Sequence, residues 1–414
     1  MNSWRGMAAP GADYDGEDFS GERTRLACWR WRPRHRGLFI ATSAEQRLFR
    51  RGAETSTRGA CDPQEELMPA TAETFSPGIS VEIGKIDREL KKLWAEDGGA
   101  KTRASLINLA VYSEAPGSLP VNTKMISEIT EDHACRAIVI GANPGATENR
   151  VEAWINVHCH VSRTGSKQVC SEQLSFLLEG PSARLLPNIV FSQLDSDLPL
   201  YLWWQGEFSD PMDPQLWAWV DRVIYDSRDW NDFCGQMQRV ETAQAEAKQR
   251  IVLCDLNWTR LFQIRLALAQ FFDHPAARAR FEEIESVEID FAPGFRSTAL
   301  LLTGWLAAQL RWTHDRQKAT NALDFRGPSG RGIRVPLQER AGEPIGRCVV
   351  RCGSLEFSVA HAENVDLLDV AMGDRRCRMP AGQNDTVRLM SEELMRGGPH
   401  HVYLRAMNCV RDLL

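Results

Sequence analysis

The chain has 414 residues, 43% of them apolar and 25% charged, with a net charge of −6. That balance fills a sizeable core, while the acidic sign argues against a general nucleic-acid binder. The longest apolar stretch, Ala299 to Leu310, is broken by Thr303, Gly304 and Gln309. It falls short of the roughly 20 residues that span a bilayer, so no membrane protein is indicated.

The first 67 residues hold eleven arginines, ten acids and no lysine. Trp29–Arg36 alternates tryptophan with arginine, but no apolar periodicity follows. Residues 1–78 therefore read as a disordered extension. The acids Asp13, Asp15, Glu17, Asp18 and Glu22 argue against a transit peptide. Order begins near Ile79, where Ile79, Ile83, Ile86, Leu90 and Leu93 recur at helical spacing. Ala104–Tyr112 reads as a buried strand, Val121 to Asp132 as a helix and Cys135–Ile140 as a strand. Val151–Val161 and Val169–Leu178 alternate like strands and leave no room for a helix between them, so part of the sheet is antiparallel. A helix around Ala183 to Leu194 precedes Leu198–Trp204, whose nearly continuous apolar run suits a strand covered on both faces. Short strands at Arg222–Tyr225, Ile251–Cys254 and Val287–Phe291 then alternate with helices at Phe233–Lys248, Trp258–Phe272 and Ser297–Trp312.

Such alternation predicts a layered α/β domain over residues 79–319, with a mixed, largely parallel sheet flanked by helices. After Thr320 come short strand candidates between glycines and prolines, and one helix at Thr386–Met395. Residues 320–414 read as a smaller β-rich C-terminal domain.

Chemical motifs are sparse. Gly141–Gly145 follows a strand, but another strand follows it and Pro144 removes a donor, so it does not read as a phosphate cradle. His158 and His160 share a strand face, and Cys170 is their nearest sulfur in the neighbouring strand, yet no third metal ligand is fixed by spacing. Eleven cysteines, an odd number without tight clusters, read as reduced thiols in a cytoplasmic protein. Cys348 and Cys352 fit neither redox nor zinc spacing. The acids Asp195, Asp197, Asp210 and Asp213 sit in turn-forming contexts. His400-His401 reads as a solvated turn. No catalytic constellation, cofactor motif or metal set stands out. The distinctive residues are aromatic: Trp203 and Trp204 at a strand end, Trp258 with Arg260 opening a helix, and Trp305 with Trp312 seven apart. Tryptophan and arginine concentrate binding energy at interfaces, so Trp203, Trp204, Trp258 and Arg260 are the partner-contact candidates. The rival reading is a sugar-phosphate sensor or enzyme using the surface near Trp203 and the His158/His160 face.

From Leu106 to Trp312 the chain resembles the glucose-6-phosphate dehydrogenase assembly protein family, also called OpcA. The resemblance rests on Val151–His160 (VEAWINVHCH), Val169–Gln173 (VCSEQ) and Asp197–Gly206 (DLPLYLWWQG). It continues through Asp221–Ser227 (DRVIYDS), Asp255–Arg260 (DLNWTR), Gln270–Asp273 (QFFD) and Ala299–Trp312. It implies a non-enzymatic cytoplasmic partner without a cofactor. Such a partner binds glucose-6-phosphate dehydrogenase and raises its activity by promoting its oligomer in the oxidative pentose phosphate pathway. Redox control through cysteines has been proposed for photosynthetic members.

Overall fold

The computed structural model describes residues 77–95, 101–161, 168–195, 197–209, 214–246, 251–278, 280–315, 322–363, 365–396 and 400–414. The extension expected up to residue 78 lies almost wholly outside the described residues, as do Asp210 and Asp213. In chain order the first elements are β1 (Ile79–Ser80), α1 (Ile86–Ala95), β2 (Lys101–Arg103), β3 (Asn108–Ser113), α2 (Ser118–Ile129), β4 (Arg136–Asn143), β5 (Arg150–Val161) and β6 (Gln168–Glu179). Then come α3 (Leu186–Gln193), β7 (Leu200–Gln205), α4 (Pro214–Trp217), β8 (Arg222–Tyr225), α5 (Phe233–Glu246), β9 (Val252–Asp255), α6 (Leu256–Arg260), α7 (Phe262–Asp273) and α8 (Pro275–Arg278). The rest is β10 (Ile284–Phe291), α9 (Arg296–Leu310), β11 (Thr313–His314), β12 (Ala322–Arg326), β13 (Gly332–Glu339), β14 (Ile345–Cys352), β15 (Leu355–His361), β16 (Leu367–Met372), β17 (Arg375–Pro380), α10 (Thr386–Met395) and α11 (His401–Leu413).

The first sheet runs β1-β5-β6-β4-β3-β7-β8-β9, with β2 also paired to β6. From β6 to β9 every neighbour pair is parallel. Counted in chain order, those parallel strands stand 3-2-1-4-5-6, the doubly wound arrangement. β5 lies antiparallel on β6, as the alternating hairpin predicted. β3 is buried at all six positions, which explains its unbroken apolar reading. One face of this sheet carries Leu109, Val111, Trp203, Ile224 and Cys254 against Leu119, Ile126 and Ile129 of α2 and Leu389 and Met390 of α10. The mixed, largely parallel sheet flanked by helices is thus present.

The second sheet differs from expectation in size and extent. Its order is β11-β12-β13-β10-β14-β15-β16-β17. β10 sits inside it, parallel to β13 and antiparallel to β14. The boundary expected at residue 320 therefore does not divide the sheets, because strands from before it complete the second one. With eight strands it is no minor appendage. α7 and α9 pack on one face. On the other, Arg351 ion-pairs with Glu288 and with Glu356 (3.2 Å), and Arg378 with Asp369 (2.8 Å).

The His400-His401 pair, expected in a solvated turn, instead leads into α11. That helix packs along α9, with Tyr403, Ala406, Met407 and Val410 buried at helical spacing. Gly304 of α9 makes that approach possible: a Cβ there would stand 2.6 Å from the Ala406 carbonyl oxygen. Trp312 lies beyond the end of α9, after the left-handed Arg311, so it does not share a helix face with Trp305. Cys159 and Cys170, expected as thiols, form a disulfide between directly opposed residues of β5 and β6.

Candidate functional site

A doubly wound sheet offers its ligand crevice at the carboxyl ends of the strands where the order reverses. Here that point lies between β3 and β7. The turn after β3 reads Ser113-Glu114-Ala115-Pro116-Gly117. Where a dinucleotide needs close backbone N–H groups, this turn presents a carboxylate and a proline. Glu114 accepts a hydrogen bond from the Tyr112 hydroxyl at 2.8 Å. Across the gap, Asn122 of α2 and Gln205 of β7 exchange two amide hydrogen bonds of 3.0 and 2.7 Å. Trp204 packs on Tyr112 at 4.3 Å and on Phe208 at 5.4 Å. Phe208 in turn meets Trp217, Tyr225 and Trp230. A continuous cluster of rings thus packs beside the crevice.

The four predicted contact residues are all interior. Trp203, Trp204 and Trp258 are 2%, 4% and 3% exposed. Trp203 and Trp204 do point to opposite faces, but helices and rings cover both, so neither reaches the surface. Arg260 is closed off by a 2.7 Å ion pair with Asp226. His158 and His160 stand on β5, separated from β7 by three strands. They bond to Gln173 (2.8 Å) and Thr130 (3.2 Å) respectively, so they form no cleft with Trp203.

The polar counterpart lies at the ends of β8 and β9, where the DRVIYDS and DLNWTR segments meet. Asp255 is 1% exposed and ends β9. It accepts from the Ser227 amide (3.0 Å), the Ser227 hydroxyl (2.7 Å), the Asn257 amide (2.9 Å) and the Tyr403 hydroxyl (3.1 Å). Burial, and then the nearby Asp226 charge, push its carboxyl up to about 7 against these donors. Tyr225 and Tyr403 meet hydroxyl to hydroxyl at 3.0 Å, and burial raises both phenols well above their usual range. Asn257 extends the network to Ser297 and Thr298 at the start of α9. The network joins the first sheet to α9 and α11. A pocket beside it is lined by Arg260, Gln263, His361, Asn384 and Glu392, and its Arg260 is already paired with Asp226.

One tryptophan does face solvent. Trp219, just past α4, is 63% exposed and leans on the ring of Phe191 at 5.9 Å. It is the largest side chain among the exposed apolar residues described. Sequence reading passed over it because its neighbours Leu216, Trp217 and Val220 look equally apolar. The helical offset from the buried Trp217 was the available signal.

These features define a doubly wound α/β protein whose crevice at the strand-order reversal is lined by packed rings and an amide pair, and whose second half is built on another large sheet. Two family profiles match it: one described as the glucose-6-phosphate dehydrogenase subunit N-terminal domain over residues 126–242, the other as the C-terminal domain over residues 251–407. The chain belongs to the glucose-6-phosphate dehydrogenase assembly protein family, OpcA. The join between the profiles falls just before β9, well ahead of residue 320. A curated relative from Nostoc punctiforme, named an OxPP cycle protein OpcA, is 31% identical over 195 residues, which cover 46% of this chain and 40% of that protein. One of the same name from Synechocystis is 25% identical over 345 residues, covering 76% and 71%. The chain thus spans well under half the length of the Nostoc relative it matches. Among solved structures, the aldose-aldose oxidoreductase from Caulobacter crescentus aligns over 74% of this chain and 95% of its own. Its identity is 10% and its TM-score 0.42, a likeness that carries no chemistry across.

Proposed function

We propose that this chain is a non-enzymatic partner of glucose-6-phosphate dehydrogenase that binds the enzyme and favours its active oligomer. The observation that carries this reading is the crevice between β3 and β7. The position that would serve a cofactor is occupied by Trp204, Tyr112, Phe208 and the Asn122–Gln205 amide pair. The family's link to that dehydrogenase supplies the partner. A partner that prefers one assembly shifts the population by its differential affinity, and a tenfold shift needs about 1.4 kcal/mol.

Trp219 with Phe191 is the contact element of this proposal. An exposed tryptophan beside a second ring is the residue pattern that concentrates interface energy. Trp219→Ala keeps the melting temperature and weakens binding of the cognate dehydrogenase by about 2 kcal/mol, read by titration calorimetry. Unchanged affinity with an unchanged fold would remove Trp219 from the interface.

A further inference from the structure

A second buried polar cluster stands beside the Asp255 network. Cys254 of β9, Glu393 of α10 and His400, just before α11, bring Sγ, a carboxylate oxygen and a ring nitrogen within 4.8 Å of one another. Cys254 and Glu393 are each 1% exposed, and the His400 side chain is 15% exposed. Their mutual orientation is the informative feature. His400 Nε2 and Glu393 Oε2 are 3.3 Å apart. Both atoms are shut away from solvent, and apart from this mutual approach neither has a hydrogen-bond partner. The Cys254 sulfur lies against the same pair, so three potential ligand atoms converge in one buried place. A separation near 3.3 Å is the edge of a tetrahedron with nitrogen and oxygen ligands about 2.0–2.1 Å from its centre.

The surrounding groups suit ligation. The other carboxylate oxygen, Glu393 Oε1, accepts from the Thr259 hydroxyl and lies 3.6 Å from Arg396 Nη1. Oε1 is thereby tied down and Oε2 turned toward His400, as outer groups orient a ligating carboxylate. Arg222 Nη1 lies 3.9 Å from Cys254 Sγ; burial and then the Glu393 charge hold the thiol protonated, with Arg222 opposing them. We infer that Cys254, Glu393 and His400 form a site for one divalent transition-metal ion of the zinc class, bound by sulfur, carboxylate oxygen and imidazole nitrogen. Water takes the fourth position. Thiolate, carboxylate and neutral imidazole are the set that zinc accepts. On binding, the Cys254 thiol gives up its proton to buffer and forms the sulfur–metal bond. The ion would clasp β9 to α10 and the start of α11, which lie far from it in sequence.

The test uses the chain alone and does not depend on the dehydrogenase. The full chain, stripped with chelator, is titrated with cobalt(II) and then with zinc(II). One cobalt per chain should bind, with the intense visible bands of tetrahedral coordination and a near-ultraviolet sulfur-to-metal charge-transfer band. Zinc should displace it and raise the melting temperature. Cys254→Ser should abolish the charge-transfer band, and Glu393→Gln and His400→Gln should each weaken binding by at least about tenfold, the scale on which even outer groups alter metal affinity. Cys377→Ser, at an exposed free thiol, should change nothing. Absence of the bands in the unmodified chain would overturn the inference whatever the variants do. So would a charge-transfer band that survives Cys254→Ser.

Discussion

The carboxyl ends of β7 and β9 lie two strands apart in one sheet, yet they are finished in opposite ways. The β7 end is closed by rings: Trp204 on Tyr112, then Phe208, Trp217 and Trp230. The β9 end is closed by hydrogen bonds, with four donors on Asp255 and the Tyr225–Tyr403 contact. Apolar closure depends on shape and volume, and it removes a cavity where a small molecule would otherwise sit. Polar closure depends on every member being satisfied, and it ties the sheet to one particular helix, α11. The first end is a packed ring cluster, and the second is a fixed attachment to α11.

The comparison can be broken most forcefully at the rings. Trp203→Ala and Trp204→Ala should each cost about 3–5 kcal/mol in chemical denaturation. Both are core, so the two variants should fall together. A Trp204 variant that keeps full stability would mean the rings beside the crevice are not tightly packed. Next comes the polar end. Asp255→Asn turns an acceptor of four donors into an amide whose NH2 faces some of them, and a loss of about 2–3 kcal/mol is expected. A neutral outcome would show that the Asp255 network is not what holds α11 to the sheet.

The smallest effect is a pH slope away from both ends. Burial, chiefly, holds the His158 imidazole below its ordinary range, with His160 adding to the effect and the Gln173 hydrogen bond opposing it. In the unfolded chain a histidine titrates near about 6.5. Between the two values the unfolded chain carries more protons, so stability rises with pH there and is lost as pH falls below about 6.5. His158→Gln should make that part of the stability profile shallower. An unchanged slope would mean that His158 titrates alike in both states.

The layered α/β class, the β5–β6 hairpin and most strands were legible because apolar runs and alternation report burial directly. The tryptophans were not. Trp203, Trp204, Trp217 and Trp219 sit in similar apolar contexts, and only the third dimension separates the exposed ring from the buried ones. The Cys159–Cys170 pair was available in principle, since it lies symmetrically about the turn of the hairpin whose strands were recognised. α11 was hidden by its mixed composition: His401, Arg405, Asn408 and Arg411 form an exposed face that alternates in sequence with the buried one, and the two separate only once the helix is assumed. The second sheet was underestimated because β10 joins strands that follow it by more than forty residues. Long-range pairing of that kind leaves no local trace.

No helix among the described residues is long and apolar enough to cross a membrane. The purified chain and its cognate glucose-6-phosphate dehydrogenase are combined at fixed enzyme concentration, and oligomer mass by light scattering and initial rate are followed in the same samples. A partner that favours the active assembly predicts that mass and rate rise together and saturate at one stoichiometry, while the chain alone shows no turnover of glucose 6-phosphate with either nicotinamide cofactor. A dehydrogenase whose mass and rate are both indifferent to the added chain would contradict it.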